Sequence, residues 1–161
     1  PCELTLRTTS AGIRLFSQPV KEIDLIHAKT HTWKEEMLSE GDKVLGGIAG
    51  DLFDIRAEFG VGDATEFGFT IRGIPVIYDV EKRELACIDK TAPFQQMEGK
   101  IRLQLLVDRT SIEIFGNDGV LVMPIGVIPP DDKGSLAVFS RGGSTRVHSL
   151  EVHELKSAWE R

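Results

Sequence analysis

Apolar and polar side chains alternate with a period of two along most of this chain. In Asp51–Phe59 apolar residues occupy every second position, and mainly charged residues lie between them. Glu66–Arg72 repeats the pattern, with Phe67, Phe69 and Ile71 on one face. Successive side chains of a β-strand point to opposite faces, so this alternation predicts strands with one buried face.

Similar alternation predicts strands in most of the remaining sequence. The further predicted strands are Glu3–Thr8, Gly12–Pro19, Ile74–Val80, Glu84–Asp89, Lys100–Asp108, Ser111–Phe115, Val120–Met123, Ser135–Ser140 and Thr145–Leu155. Turns are expected at Ser10-Ala11-Gly12, Glu81-Lys82-Arg83 and Arg141-Gly142-Gly143. Many short strands at regular spacing are typical of a β-sandwich or barrel. The apolar side chains expected between two sheets are Phe67, Phe69, Leu103, Leu105, Val107, Ile112 and Ile114.

Two N-terminal segments are less regular. Lys21–His27 is compatible with a strand or with a helical turn. Thr30–Leu38 is expected to form a short helix, because Thr30 or Thr32 can act as the N-cap and glutamates follow in the first turn. No other segment carries a helical pattern, so the sequence predicts an all-β protein.

The length and composition fit one globular domain spanning residues 1–161. The net charge of −6 and the lack of a Lys/Arg cluster argue against nucleic acid as a partner, since phosphate binding requires a concentrated basic face. We find no run of about 20 apolar residues that could span a membrane, and no signal peptide. The sequence begins at Pro1 without an initiator methionine, so we expect a piece of a longer protein.

Neither the cysteines nor the histidines form a pattern typical of a metal site. Cys2 and Cys87 are outside any C-x-x-C pair and are expected to be free thiols, although a disulfide between them is compatible with the sequence. His148 and His153 are an odd number of positions apart, so an unbroken strand would place them on opposite faces. The other two histidines, which lack a ligand pattern, are His27 and His31. We expect no metal and no cofactor.

Three carboxylates lie close together in Val107–Gly119, namely Asp108, Glu113 and Asp118. A glycosidase needs two carboxylates roughly 5–10 Å apart across a sugar, which makes the segment a candidate catalytic site. The alternative is structural, with turns around Asp108 and Asp118 and with Glu113 projecting from a strand. The turn preferences of Asp and Asn favour the structural interpretation.

A second candidate is a sugar-binding face on three successive strands. Sugars are bound by planar hydrogen-bonding groups and often by an aromatic platform, and residues of both kinds lie on or near these strands. They are Glu66, Arg72, Tyr78, Asp79 and Asp89. The alternative is a solvated face with cross-strand ion pairs. No G-x-S-x-G nucleophile motif and no phosphate-binding loop is present in the sequence.

Four segments resemble glycoside hydrolase family 32, the family of invertases, levanases and other fructan hydrolases. Pro1–Arg7 and Leu15–Ile23 are similar to the family's Pro-Arg-Glu-Leu and Leu-x-Gln-x-Pro-Val-x-Glu-Leu segments, with Cys2 in place of the basic residue. Glu66–Phe69 fits a middle strand, and Val107–Gly119 closely resembles the signature Val-Asp-x-Ser-Ser-x-Glu-x-Phe-x-Asn-Asp-Gly. The resemblance covers essentially the whole chain and is to the family's C-terminal β-sandwich domain.

The resemblance implies a two-sheet antiparallel β-sandwich of the concanavalin-like jelly-roll kind. It implies a parent enzyme that hydrolyses β-fructosidic bonds with retention, using an aspartate nucleophile and a glutamate acid/base on an N-terminal five-bladed β-propeller. The propeller's motifs are absent from this sequence, so no catalytic residue is carried over. The signature residues expected to be structural are Asp108, Ser111, Glu113, Phe115, Asn117, Asp118 and Gly119.

The function implied by the resemblance is that of a non-catalytic domain. Such a domain packs on and stabilises the propeller of the same polypeptide, and it can aid substrate recognition or oligomerisation. The alternative is a carbohydrate-binding module that recognises terminal fructose of levan or inulin, and an independent small enzyme is a third hypothesis. The domain leaves open whether the parent enzyme acts on sucrose, levan or inulin, and whether it is secreted or cytoplasmic.

Overall fold

The computed structural model describes residues 1–9, 12–130 and 135–158. The strands are β1 (Cys2–Thr9), β2 (Gly12–Pro19), β3 (His27–Leu38), β4 (Phe53–Gly60), β5 (Glu66–Ile71), β6 (Ile74–Asp79), β7 (Glu84–Cys87), β8 (Lys90–Pro93), β9 (Lys100–Asp108), β10 (Ser111–Gly116), β11 (Leu121–Gly126), β12 (Leu136–Arg141) and β13 (Thr145–Leu155). Two 3-10 helices in the described ranges are Lys21–Ile26 and Asn117–Gly119. Neither has the length and apolar character that crossing a membrane requires.

Two antiparallel sheets form a sandwich. The six-stranded sheet has the order β11-β10-β9-β4-β13-β3, and the five-stranded sheet has the order β12-β5-β6-β7-β8. Strands β1 and β2 form a separate two-stranded hairpin. The arrangement confirms the predicted all-β sandwich, and each strand predicted from alternation has a counterpart in it.

The core lies between the two sheets. The seven side chains predicted to be buried there are each at most 3% exposed, which confirms that prediction. Phe59 of β4 packs across the gap against Phe67 and Phe69 of β5, with ring centroids 5.0 and 5.8 Å apart. Burying a side chain of this size contributes about 1.5–3 kcal/mol, so the alternating apolar positions supply the driving force that brings the sheets together.

The segment predicted as a short helix, Thr30–Leu38, is part of strand β3, so that prediction was wrong. Strand β3 pairs with β13, which places Thr30 opposite His153 and Trp33 opposite Leu150. Trp33 also packs against the core. Tertiary pairing of this kind outweighs a local N-cap signal, and Thr and Trp fit the half-buried surface of a strand better than they fit a helix.

Smaller differences concern the ends and interruptions of strands. The segment Lys21–His27, which the sequence made compatible with a strand or a helical turn, forms a 3-10 helix over Lys21–Ile26. The short, mostly exposed strand β8 was not predicted. A bulge at His148 shifts the pairing of β13 with β4, so the odd spacing of His148 and His153 no longer places them on opposite faces. The first two residues of the turn predicted at 10–12 lie outside the described residues.

Both cysteines are free thiols, as expected. Cys2 is exposed and Cys87 is buried. Burial raises the pKa of the Cys87 thiol to about 11, so the thiol stays protonated near neutral pH and is a poor nucleophile.

Candidate functional site

The signature segment does not bring its two turn aspartates together. Asp108 and Asp118 flank opposite ends of β10, and six residues of strand span about 20 Å. Asp108 accepts a hydrogen bond from the next backbone N–H at 2.6 Å, and Asp118 lies 3.6 Å from Arg102. Each aspartate therefore has a partner close to its own turn. Glu113 and Asp108, together with Ser111, line one cavity of about 240 Å³.

Strand β2 of the hairpin packs closely against the turn Asn117–Gly119. Its three residues have positive φ angles of 44°, 61° and 88°, a conformation that Asn, Asp and Gly tolerate best. Asn117 is buried, accepts a hydrogen bond from the Arg102 backbone N–H at 3.0 Å and donates to the Gln95 carbonyl at 2.7 Å. A Cβ on Gly119 would lie 2.0 Å from the backbone oxygen of Ser17. The motif therefore lets strand β2 approach the sandwich closely.

The hairpin has one face against the sandwich and one face that no described residue covers. Phe16 is 3% exposed, and the guanidinium of Arg7 lies 4.5 Å from the centre of its ring. Side chains of the opposite parity point away from Phe16. Those exposed aliphatic residues are Leu4, Leu6, Ile13 and Leu15. The hairpin is thus attached by the burial of Phe16 and by the packing of Ser17 against Gly119. It presents a strip of aliphatic side chains on its other face.

A polar groove separates the hairpin from the outer face of the six-stranded sheet. Its volume is about 290 Å³, and Gln18, Arg102 and Phe115 are among the lining residues. Glu58 in the groove accepts hydrogen bonds from Lys100 at 2.6 Å and from Arg102 at 2.8 Å. These bonds, from Lys100 first and Arg102 second, hold the pKa of Glu58 below its usual value. The charges of this trio are paired with one another rather than presented to a ligand.

A second group of charges lies on the same outer face around Asp54, which is fully buried. Its carboxylate accepts hydrogen bonds from Arg56 at 2.6 and 3.0 Å and from Gln104 at 2.9 Å, and His27 Nε2 lies 3.1 Å away. Arg56 also donates to Asp24 at 2.5 Å, and this bond lowers the pKa of Asp24.

This second group has the ligand types of a metal site, but an arginine already bridges its two carboxylates. Ligand atoms of Asp24, His27 and Asp54 lie within 4.8 Å of one another. The guanidinium of Arg56 contacts both carboxylates, so the protein itself supplies the positive charge between them. The residues present therefore fit a hydrogen-bonded ion-pair cluster rather than a metal centre.

Two of the five residues predicted to bind sugar are neighbours. Glu66 on β5 and Asp79 on β6 lie opposite each other. Each has a cationic partner, because Arg141 lies 3.1 Å from Glu66 and Lys82 lies 2.9 Å from Asp79. These are the cross-strand and local ion pairs of a solvated sheet face.

The other three predicted sugar-binding residues lie elsewhere. Arg72 follows the opposite end of β5 and donates to the Arg109 carbonyl at 3.2 Å. Asp89 follows β7 and lies 3.4 Å from Lys90. Tyr78 is fully buried in the core, and that burial raises the pKa of its hydroxyl. The structure therefore brings Glu66 and Asp79 together and leaves the aromatic ring facing the interior.

Known proteins match this chain over nearly its whole length. Residues 22–154 match the family described as glycosyl hydrolases family 32 C terminal. A levanase from Bacillus subtilis (strain 168) is 34% identical over an alignment of 184 positions, gaps included, which covers 99% of this chain and 27% of the levanase. An extracellular exo-inulinase from Aspergillus awamori is 30% identical over 186 residues, covering 99% of this chain and 34% of that protein. The chain therefore spans only about a third of these relatives or less.

Solved structures share the fold. The crystal structure of exo-inulinase from Aspergillus awamori matches with a TM-score of 0.82 at 22% identity, covering 99% of this chain and 36% of that one. Fructofuranosidase from Schwanniomyces occidentalis, solved in complex with fructose, matches with a TM-score of 0.79 at 17% identity, covering 97% of this chain and 40% of that one. At these identities the likeness shows the fold.

Proposed function

Because this chain belongs to the C-terminal family of the family 32 glycosyl hydrolases, we propose that it is the non-catalytic β-sandwich of a β-fructosidase. The proposed parent enzyme hydrolyses the O-glycosidic bonds of levan, inulin or sucrose, in keeping with the names of the levanase and the exo-inulinase that resemble it. Another part of the same polypeptide carries the chemistry in this proposal. The family resemblance suggests an N-terminal five-bladed β-propeller for that part.

The observation that carries the proposal is the aliphatic strip on the β1–β2 hairpin. Leu4, Leu6, Ile13 and Leu15 are between 54% and 74% exposed. Contiguous apolar surface of this kind is typical of an interface with another domain or protein. The levanase match leaves most of that relative's length outside the aligned region, since it covers 27% of the protein. We therefore propose the propeller as the domain that covers the strip.

In this arrangement the sandwich stabilises the propeller by removing the strip from water. Each Å² of apolar surface buried contributes roughly 25 cal/mol. A contribution to substrate recognition or to an oligomer interface would be additional to this packing role. The carbohydrate-binding alternative has less support, because Tyr78 is buried and Arg72 and Asp89 lie away from Glu66 and Asp79.

The experiment compares the 161-residue chain with the polypeptide that also contains the propeller. We expect the purified short chain to release no fructose from levan, inulin or sucrose, and the longer polypeptide to release it. In the longer polypeptide, Leu6→Gln combined with Leu15→Gln should lower the melting temperature. Ile128→Gln is the matched control, because Ile128 is also apolar and 87% exposed but lies outside the hairpin.

Three outcomes would contradict the proposal. Hydrolysis by the purified short chain would show that it holds its own active site. Equal effects of the hairpin variants and of Ile128→Gln would show that the strip has no special role in the longer polypeptide. If light scattering shows a dimer of the short chain that Leu6→Gln dissociates, the occupant of the strip is a second copy and not the propeller.

A further inference from the structure

Two histidine rings are stacked where the segment that follows the hairpin joins the six-stranded sheet. His27 follows the 3-10 helix Lys21–Ile26, and its ring lies on that of His153 in β13. The ring centroids are 3.9 Å apart and the planes are inclined by 12°. A stack at this distance accommodates two neutral rings or one charged ring. Two imidazolium ions at the same separation repel each other, most strongly where water is excluded.

His153 is poorly placed to take up a proton. It is 6% exposed, and its Nδ1 lies 2.8 Å from the hydroxyl of Thr30. Its Nε2 is buried and has no hydrogen-bond partner in the described part of the chain, with a Glu151 carboxylate oxygen 3.3 Å away outside hydrogen-bonding alignment. Burial first, and the charge of His27 second, lower the pKa of His153. The ring is therefore neutral in the folded protein near neutral pH.

The charged groups that face the stack come from three elements. Asp24 of the 3-10 helix and Asp54 of β4 lie 3.7 and 3.1 Å from His27 Nε2. Arg56 of β4 contacts both of these carboxylates, so it offsets part of their attraction for a second proton on the rings. Glu151 of β13 is the remaining acid beside His153, and its side chain is 39% exposed. Solvent screening weakens the help it can give to a charged ring.

The 3-10 helix depends on polar contacts for its attachment to the sheet. None of its residues is buried. Asp24 is bound by Arg56 at 2.5 Å, and the carbonyl of Ile26 accepts a hydrogen bond from the backbone N–H of Lys156 at 2.8 Å. Elements with few buried apolar contacts open at low free energy, so repulsion next to His27 acts on a weakly held segment.

We propose that the His27–His153 stack is a proton-sensitive latch, which holds segment 20–27 on the sheet at neutral pH and releases it in mild acid. Protonation of both rings places two positive charges in contact, and the segment relieves the repulsion by moving away. The sign follows from linkage: the pKa of His153 is lower in the folded chain than its usual value of about 6.5. The attachment is therefore complete above that value and weakens as the pH falls below it.

Hydrogen–deuterium exchange on the 161-residue chain tests the latch directly. After correction for intrinsic rates, the protection of amides 20–27 should fall about tenfold for each pKa unit by which folding depresses the His153 titration. The comparison is made between about pH 7.5 and about pH 5. Amides of β9 and β10 should keep their protection over this range. His153→Phe keeps a stacking ring without a proton site, so its segment 20–27 should stay protected at both pH values.

The matched control is His148→Phe, which removes a histidine at the bulge outside the stack and should leave the wild-type pH response unchanged. If circular dichroism shows that His153→Phe is unfolded, His153→Asn replaces it, since an amide can keep a hydrogen bond to Thr30. A pH response of segment 20–27 that persists in the folded His153 variant would overturn the proposal, as would a wild-type segment insensitive to pH. Neither readout involves a propeller or a fructan, so this result is independent of the proposed function.

Discussion

The β1–β2 hairpin and the sandwich share one pattern of alternating residues but differ in what happens to the apolar face. In β4, Ile55 and Phe59 are 0% exposed, because the five-stranded sheet covers them. In the hairpin, Leu6 and Ile13 are 74% and 69% exposed. Alternation thus predicts which face of a strand is apolar, whereas tertiary packing determines which element covers this face.

The largest expected effect is that of truncating the covered face. Phe67 packs against Phe59 and Tyr78 with centroid distances of 5.0 and 5.2 Å. Phe67→Ala should lower the free energy of unfolding by about 3–5 kcal/mol, measured by chemical denaturation. The control is Phe139→Ala, which removes a ring covered by Arg141 at 4.5 Å and should lose only about 1 kcal/mol. Equal losses would contradict the assignment of the core face.

The next effect is at the junction between the two regions. Gly119→Ala places a Cβ 2.0 Å from the Ser17 oxygen, so β2 must move. We expect a loss of about 1–3 kcal/mol and faster hydrogen exchange in the hairpin, with the sandwich amides unchanged. Gly12→Ala is the control, because Gly12 has a similar positive φ of 94° but no contact atom from the described residues within 4 Å of its Cβ position. If both variants behave alike, backbone strain and not close approach explains the motif.

A smaller effect is expected from the ion pairs on the outer face beneath the hairpin. The hydrogen bonds from Lys100 and Arg102 lower the pKa of Glu58. Its stabilising effect is therefore present above the usual glutamate value of about 4.3 and is lost as the pH falls through the lowered value. Glu58→Gln should reduce stability by less than about 1 kcal/mol at neutral pH and flatten the acid side of the unfolding profile. Glu98→Gln, at a side chain 83% exposed, should leave that profile unchanged.

The smallest effect in the 161-residue chain is expected on the uncovered face. Leu6→Gln should change the free energy of unfolding by no more than about 0.5 kcal/mol, measured by the same denaturation assay. This change is much smaller than the loss expected for Phe67→Ala, although both positions belong to the apolar face of a strand. A loss of more than about 1 kcal/mol would mean that the strip packs within this chain.

The alternation made most of the strands and the core predictable, but it said nothing about which strands pair. Thr30–Leu38 was predicted as a helix from a local N-cap signal, and its strand was missed because its partner in β13 is distant in the sequence. The burial of Tyr78 could have been found, since it shares the parity of Val76 and not that of Asp79. The cluster around Asp54 had only one local signal, Arg56 on the same face. Its other members, Asp24 and His27, come from a segment that only the three-dimensional fold brings near.

Strand β13 lies between β3 and β4 in the six-stranded sheet, although it is the last strand in the described part of the chain. The contacting residues Thr30 and His153 are 123 positions apart. During synthesis β3 and β4 leave the ribosome long before the strand that separates them, so their edges stay open until residues 145–155 appear. Topologies rich in such distant pairings fold slowly, and open strand edges aggregate. A nascent chain stalled before β13 should therefore need a chaperone to stay soluble, however well packed its other strands are.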